Sequence, residues 1–250
     1  MLDSIYFNRI RIRKVDHNEI PKILPLVLNS GKEMHIHLLA ASSIAAASRV
    51  QGLTEIYSSG FSLCDSSPLA KIIKLRHSGF INLRGSDLFR GIVENDDGSK
   101  RHFFIVSDIS IIDSLKRFAA NLNPKFTIAG SIVPPYLDSF NFTYENWISQ
   151  IKASNADCVW IGLGSPKQDV IAYDLSQQAG ILCIAIGAAL EFVSGHKREA
   201  PRLMQKYSLE WLFRLFSEPR RLFKRYTIDN FIFVLSVCKF LYKKSHNDYF

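Results

Sequence analysis

Apolar runs alternate with amphipathic stretches along the middle of the chain. Four apolar runs predict buried strands, at 102–106, 125–130, 157–163 and 181–187. Three segments between them have helical spacing, at 109–122, 143–154 and 166–178. Repeated strand–helix units with apolar strands are typical of a parallel sheet covered on both faces. We therefore predict an α/β fold, a Rossmann-like mostly parallel sheet with helices on both faces.

The first 100 residues carry a weaker version of the same pattern. Residues 34–39 predict a strand, followed by a helix rich in alanine and serine. A second strand is predicted to end at Asp65, with a helix after Pro68. The residue types at 95–98 are those of a tight turn, and we predict a loop there.

The strand pattern ends at Gly195, and the remaining sequence is basic, aromatic and helical. We predict a Rossmann-like core over 1–195 and a basic amphipathic helical appendage over 196–250. Segment 196–226 has nine Lys and Arg against three Asp and Glu, most of the net charge of +8. This concentration predicts an anionic partner: a phosphate, a nucleic acid or an acidic membrane surface.

Composition excludes some classes of protein. A chain of 250 residues that is 47% hydrophobic and 22% charged is globular rather than disordered. Its four cysteines lie far apart without a CxxC pair, which favours reduced thiols and the cytoplasm. No signal peptide is evident at the N-terminus. The apolar stretch 231–242 is shorter than the ~20 residues that span a bilayer.

The stretch Gly162-Leu163-Gly164-Ser165-Pro166-Lys167-Gln168 joins a predicted strand to a predicted helix. One interpretation is structural: Ser165 caps the helix, Pro166 starts it, and Gln168 completes a capping box. The other is an anion site, because helix N-termini attract phosphate and ligands bind at the carboxyl ends of parallel strands. The stretch lacks the full GxGxxG pattern, and both interpretations stay open.

Other candidate residues also have two interpretations. Asp65, at a predicted strand end, is either a turn residue or a general base. Arg214, Arg221 and Arg225 either bind phosphate or form a solvated basic face. His35 and His37 share one side of a strand, where packed or hydrogen-bonded rings are favoured over a metal pair that lacks a third ligand.

Several motifs in one order resemble the WecG/TagA/CpsF family of bacterial glycosyltransferases (glycosyltransferase family 26). They are "LRGSDLF", the Pro134-Pro135 step, "GLGSPKQDVIA", "AIGAALEFVSGHKREAP" and "LEWLFRLFSEPRRLFKRY". The resemblance covers about residues 25–230.

The resemblance implies an inverting, metal-independent transferase without a cofactor. Its donor would be a UDP-sugar, of N-acetylmannosamine type or another hexose, and its acceptor a polyprenyl-diphosphate-linked sugar. The product would enter a cell-surface polysaccharide such as wall teichoic acid, capsule or exopolysaccharide. The implied location is the cytoplasmic face of the bacterial plasma membrane, with peripheral attachment, no nucleic-acid partner, and homo-oligomers left open.

The resemblance also assigns roles to residues. Asp65 corresponds to the candidate base. The donor site would comprise Gly164, Ser165, Pro166, Lys167, Gln168, Arg84 and Gly187. The acceptor diphosphate would meet Arg198, Arg214, Arg221 and Arg225.

Two positions depart from the family pattern. Its Asp-Gly step is Asp65-Ser66 here, and its usual Asn is absent from 37–41. These departures keep an alternative open, a catalytically lapsed member that binds polyprenyl-linked glycan or assembly partners. A basic nucleic-acid-binding protein is a further rival, which predicts salt-sensitive binding of RNA or DNA.

Overall fold

The computed structural model describes residues 3–78, 80–135, 143–207 and 209–243, and the side chains of 221, 224, 225 and 243 lie outside this description. The strands are β1 (Ser4–Phe7), β2 (Ile10–Arg13), β3 (His35–Leu39), β4 (Phe61–Cys64), β5 (Arg101–Val106), β6 (Thr127–Ile132), β7 (Cys158–Gly162) and β8 (Leu182–Ala185). Strands β1 and β2 form an antiparallel hairpin. The other six form one parallel sheet in the order β4-β3-β8-β7-β5-β6.

Helices connect and cover the strands. They are α1 (Ile20–Ser30), α2 (Ala41–Ala47), α3 (Leu53–Ser59), α4 (Ser67–Lys74), α5 (Gly85–Asn95), α6 (Ile109–Leu122), α7 (Glu145–Ala153), α8 (Lys167–Ala179), α9 (Ala189–Val193), α10 (Arg202–Lys206), α11 (Glu210–Ser217) and α12 (Pro219–Lys243). A single 3₁₀ turn, His17–Glu19, precedes α1.

The predicted α/β fold is confirmed, with small shifts at element ends. Helix α6 has the predicted bounds, whereas β6 begins two residues later than the predicted strand 125–130. Helix α4 begins at Ser67 rather than after Pro68, since proline is tolerated in the first turn. The predicted loop at 95–98 begins after Asn95, the last residue of α5. The β1–β2 hairpin was not predicted.

The sheet is buried on both faces, which explains its uninterrupted apolar strands. In β5, Phe104 and Val106 belong to the core cluster that includes Trp160, whereas Phe103 and Ile105 belong to the cluster on the opposite face. The alternation follows from the two-residue period of a strand.

A third core cluster joins the two ends of the chain. The β1–β2 hairpin contributes Phe7, α3 contributes Tyr57, and α12 contributes Phe233 and Phe240. The rings of Phe7 and Phe240 stack with centroids 4.5 Å apart. The long C-terminal helix therefore packs against the parallel-sheet layer as part of the core.

Within the described residues, none of the helices has the length and apolar character needed to cross a membrane. The carboxyl ends of the parallel strands all face one edge of the sheet. The turns that follow β3, β4, β5, β7 and β8 therefore meet at that edge, where ligands of open α/β sheets bind.

Candidate active site

A cleft of about 840 Å³ lies along the carboxyl edge of the sheet. Its lining comes from the turns after the strands and from helices that include α9, α11 and α12. Asp65, Gly164 and Gln168 all line it, so the two sites predicted independently from the sequence share one hollow.

Asp65 follows β4 directly and is held in place by two backbone contacts. Its N–H donates to Leu39 O at 2.9 Å, and its Oδ1 accepts the N–H of Gly85, the first residue of α5, at 2.9 Å. Burial raises the pKa of Asp65 to about 6, while Arg214 and the Gly85 N–H act in the opposite direction. A carboxylate with this pKa is ionised at neutral pH and is matched to general-base work.

Ser66, where the family pattern has glycine, causes no backbone strain. Its φ of −129° and ψ of 119° are ordinary extended values. The Ser66 hydroxyl accepts the N–H of Leu69 at 3.4 Å and so caps α4. The chain therefore enters α4 from an extended conformation that serine adopts readily.

Residues 164–168, called the donor loop after the role predicted for them, close differently from the predicted capping box. Pro166, after a cis Ser165–Pro166 peptide bond, occupies the N-cap of α8, and Ser165 is not the cap. Instead Gln168 Oε1 accepts the Gly164 N–H at 2.9 Å, and the Gln168 N–H donates to Gly164 O at 3.1 Å. These two bonds clamp the loop around Gly164, which has a φ of +84°.

The loop divides its residues between the cleft and the start of α8. Among the residues that the structure describes, Gly164, Ser165 and Gln168 line the cleft, whereas Pro166 and Lys167 do not. Only part of the predicted donor set therefore faces the hollow.

Gly187, after β8, lets the backbone lie close to the Gln168 side chain. Its φ is +65°, and a Cβ atom there would lie 3.3 Å from Gln168 Nε2. Glycine at this position thus leaves room for the Gln168 amide beside the cleft.

Arg84, the N-cap residue of α5, is tied to the segment after Gly195. Its guanidinium donates to Gln205 Oε1 at 2.5 Å, and it lies 3.6 Å from a carboxylate oxygen of both Glu199 and Glu210. Arg84 also lines the cleft, and its charge is shared with two glutamates.

The structure describes the side chains of two of the four predicted acceptor arginines. Arg198 and Arg214 line the cleft, and the Arg214 guanidinium lies 4.8 Å from the centroid of the Phe192 ring. Arg221 and Arg225 belong to α12, but their side chains lie outside the described part of the structure.

The turn after β3 supplies a wall of small residues. The lining residues from this segment are Leu38, Ala40, Ala41, Ser42 and Ser43. Segment 37–41, where the resemblance predicts an asparagine, contributes Leu38, Ala40 and Ala41 to this wall.

Sequence reasoning missed Lys197 as a cleft residue. Its ammonium group lies 2.9 Å from Glu191 and 3.3 Å from Glu218, and all three residues line the cleft. The available signal was its place in the basic segment 196–226. Among the described residues, no group of three or more His, Cys, Asp or Glu side chains could hold a metal ion.

The site is thus a cleft at the carboxyl edge of a six-stranded parallel sheet, the place where ligands of open α/β proteins bind. Residues 5–247 match the sequence model of the glycosyl transferase WecG/TagA/CpsF family. The match covers nearly the whole chain, and the protein belongs to this family of glycosyltransferases.

Proposed function

We propose that the protein is an inverting, metal-independent transferase that moves a hexose from a UDP-sugar to a polyprenyl-diphosphate-linked sugar. The observation that carries this proposal is the common cleft of Asp65, Gln168 and Arg214. A candidate general base and groups suited to a diphosphate then line one site.

In the proposed reaction, Asp65 accepts the proton of the acceptor hydroxyl. That oxygen forms a bond to the anomeric carbon from the face opposite UDP. The bond between the anomeric carbon and the phosphate oxygen breaks, and its electron pair leaves with UDP. Negative charge grows on the departing diphosphate, where guanidinium groups stabilise it.

Arg198 and Arg214 are the described arginines available for this work, with Arg221 and Arg225 proposed to join them. Arginine suits the role because its planar guanidinium binds phosphate oxygens in pairs. We propose that Gly164, Ser165, Gln168 and Gly187 receive the donor. Arg84 would act by fixing α5 beside Asp65.

The proposed membrane face lies on the helices after Gly195. Large apolar side chains there are strongly exposed, namely Leu203, Tyr207, Phe216, Phe223, Phe231, Val234, Leu235 and Tyr242. They adjoin the basic segment 196–226. Apolar and basic groups together favour binding to an anionic bilayer, where a lipid-linked acceptor would reside.

The deciding experiment measures UDP release from a panel of UDP-sugars, with a short-chain polyprenyl-diphosphate sugar as acceptor and EDTA present. We expect turnover in EDTA with at least one donor. Glycolipid binding without turnover of any donor would instead support the catalytically lapsed alternative, which the missing asparagine favours. Tight, salt-sensitive binding of RNA without UDP binding would contradict both.

A further inference from the structure

A chain of buried hydrogen bonds runs behind the donor loop. His35 Nδ1 lies 2.8 Å from His37 Nε2, and His37 Nδ1 lies 2.9 Å from Asp169 Oδ1. The Tyr57 hydroxyl donates to Asp169 Oδ2 at 3.2 Å and lies 3.4 Å from Ser165 Oγ. We call His35, His37, Asp169 and Tyr57 the buried relay, and Ser165 is its contact with the cleft.

The relay joins β3 and α3 to α8, whose Asp169 lies 132 positions after His37 and 112 after Tyr57. His35 and His37 project from the same side of β3, because side chains two apart in a strand share a face. Asp169 lies in the first turn of α8, and Tyr57 lies on α3, which packs against α8.

Because the relay is buried, the loss of any of its hydrogen bonds would leave a polar group without a partner from solvent. The four side chains are between 0% and 2% exposed. A carboxylate in such a place is stable only when both oxygens have donors, and Asp169 has one on each. Removing one donor leaves a buried charge partly unsatisfied.

The proton positions follow from the chemistry of the groups. The Asp169 carboxylate only accepts, so His37 carries its proton on Nδ1 and, when neutral, accepts at Nε2 from His35. Burial lowers the pKa of His35 to about 3, so that ring is neutral. Both His37 nitrogens are thereby engaged, which supports the hydrogen-bonded interpretation of the histidine pair.

The relay reaches the cleft through the Tyr57 hydroxyl. This hydroxyl donates its hydrogen bond to Asp169, and its oxygen can accept a second hydrogen bond from the hydroxyl of Ser165. Ser43 also interacts with this hydroxyl, and both serines line the cleft. Asp169 is covalently joined to Gln168, the residue that clamps the donor loop.

We propose that Asp169, His37 and Tyr57 are positioning residues of the donor site. They hold Ser165 and the first turn of α8, and hence Gln168, in the shape that receives the nucleotide. This inference rests on the function proposed above, since it takes the loop at 164–168 as the place where UDP binds.

The test compares two tyrosines that make the same kind of bond to the same helix. Tyr57→Phe removes the hydroxyl between Asp169 and Ser165. Tyr144→Phe removes a hydroxyl that donates to Asp174, further along α8, at 3.0 Å. Tyr144 does not line the cleft, so it serves as the matched control.

For Tyr57→Phe we expect the Kd of UDP and the KM of the donor to rise about fivefold, the effect of losing one hydrogen bond. The kcat should change little. Amide exchange in the peptide covering 162–170 should be faster, because Gly164, Gln168 and Asp169 N–H groups are bonded within the loop. Tyr144→Phe should leave all of these values near wild type.

Unchanged exchange in 162–170 and unchanged UDP affinity in Tyr57→Phe would overturn the positioning role, as would equal effects in the two variants. Faster exchange confined to Tyr57→Phe, in a protein whose wild type binds no UDP, would support the relay and overturn the proposed donor. The two failures are therefore distinguishable.

Discussion

Two opposing effects set the pKa of Asp65. Loss of solvent raises the pKa of its carboxyl group, while Arg214 and the N–H at the start of α5 favour the ionised form. With a pKa of about 6, the Asp65 carboxylate is ionised at neutral pH and can still accept a proton.

Replacing Asp65 with Asn should reduce transfer at least about a hundredfold, because an amide cannot accept the proton of the acceptor hydroxyl. The amide oxygen can still accept the Gly85 N–H, so the fold should persist. UDP release measures the rate, and circular dichroism checks the fold. Near-normal transfer by a folded Asp65→Asn protein would remove Asp65 from the proposed role.

The pH profile of kcat/KM should fall on the acid side with an apparent pKa of about 6. Below this value Asp65 is protonated in the free enzyme and cannot act as a base; above it the carboxylate is available and the rate levels off. Initial rates between pH 5 and 8, with stability checked at each pH, would test this. A flat profile down to about pH 5 would contradict it.

Two glycines with similar φ angles allow the effect of backbone strain to be separated from the effect of crowding. Gly187→Ala and Gly180→Ala should each lower the free energy of unfolding by about 1 kcal/mol, since both glycines have positive φ. Only an alanine at 187 also meets the Gln168 amide, whereas nothing lies within 4 Å at 180. UDP affinity should therefore fall for Gly187→Ala alone, as measured by calorimetry; equal affinities would argue against Gln168 at the donor site.

At the scale of elements, α12 is bound to the rest of the chain by specific bonds along its length. Arg49 pairs with Asp229, and Asn8 Nδ2 donates to Ser236 O. Near the end of the helix, the Arg76 guanidinium donates to the carbonyls of Phe240 and Leu241. Removing 196–250 would therefore uncover core residues, so point variants are better tests of this segment than truncation.

Arg76→Leu should lower the free energy of unfolding by about 1 kcal/mol, because the last carbonyls of α12 and the face of Phe240 lose their cation. Urea denaturation measures the loss. Arg117→Leu is the control, since among the described residues Arg117 donates to Ser114 Oγ at an exposed site on α6. Equal stability of the two variants would show that this contact does not hold α12.

At the scale of the whole molecule, the exposed apolar side chains of α10 to α12 and the basic segment 196–226 lie in the same part of the chain as the arginines of the cleft. A protein that receives a lipid-linked acceptor needs its cleft near the bilayer surface. Under this proposal, segment 196–250 contributes to the core and also forms the proposed membrane face.

A double variant, Phe231→Ser with Leu235→Ser, should weaken binding to anionic vesicles at least about tenfold, because two exposed apolar groups one helical turn apart lose their favourable burial in lipid. Neither residue lines the cleft, so UDP affinity should be unchanged. Leu75→Ser with Ile109→Ser, two exposed positions outside the appendage, is the control. Vesicle binding that is equal in both double variants would place the membrane face elsewhere.

The sequence by itself determined the layers of the fold and the edge where the site lies. Apolar runs alternating with amphipathic helices permit few arrangements other than a parallel sheet, and such a sheet brings the turns after its strands together. Asp65 and the loop at Gly164 could therefore be assigned to one cleft without coordinates.

Tertiary structure decided which side chains meet across long separations. Gln168 clamps Gly164 instead of capping α8, α12 completes a core with the N-terminal hairpin, and His37 joins Asp169 behind the loop. Periodicity cannot predict these pairings, because it reports which face of an element is buried and not which partner it is buried against.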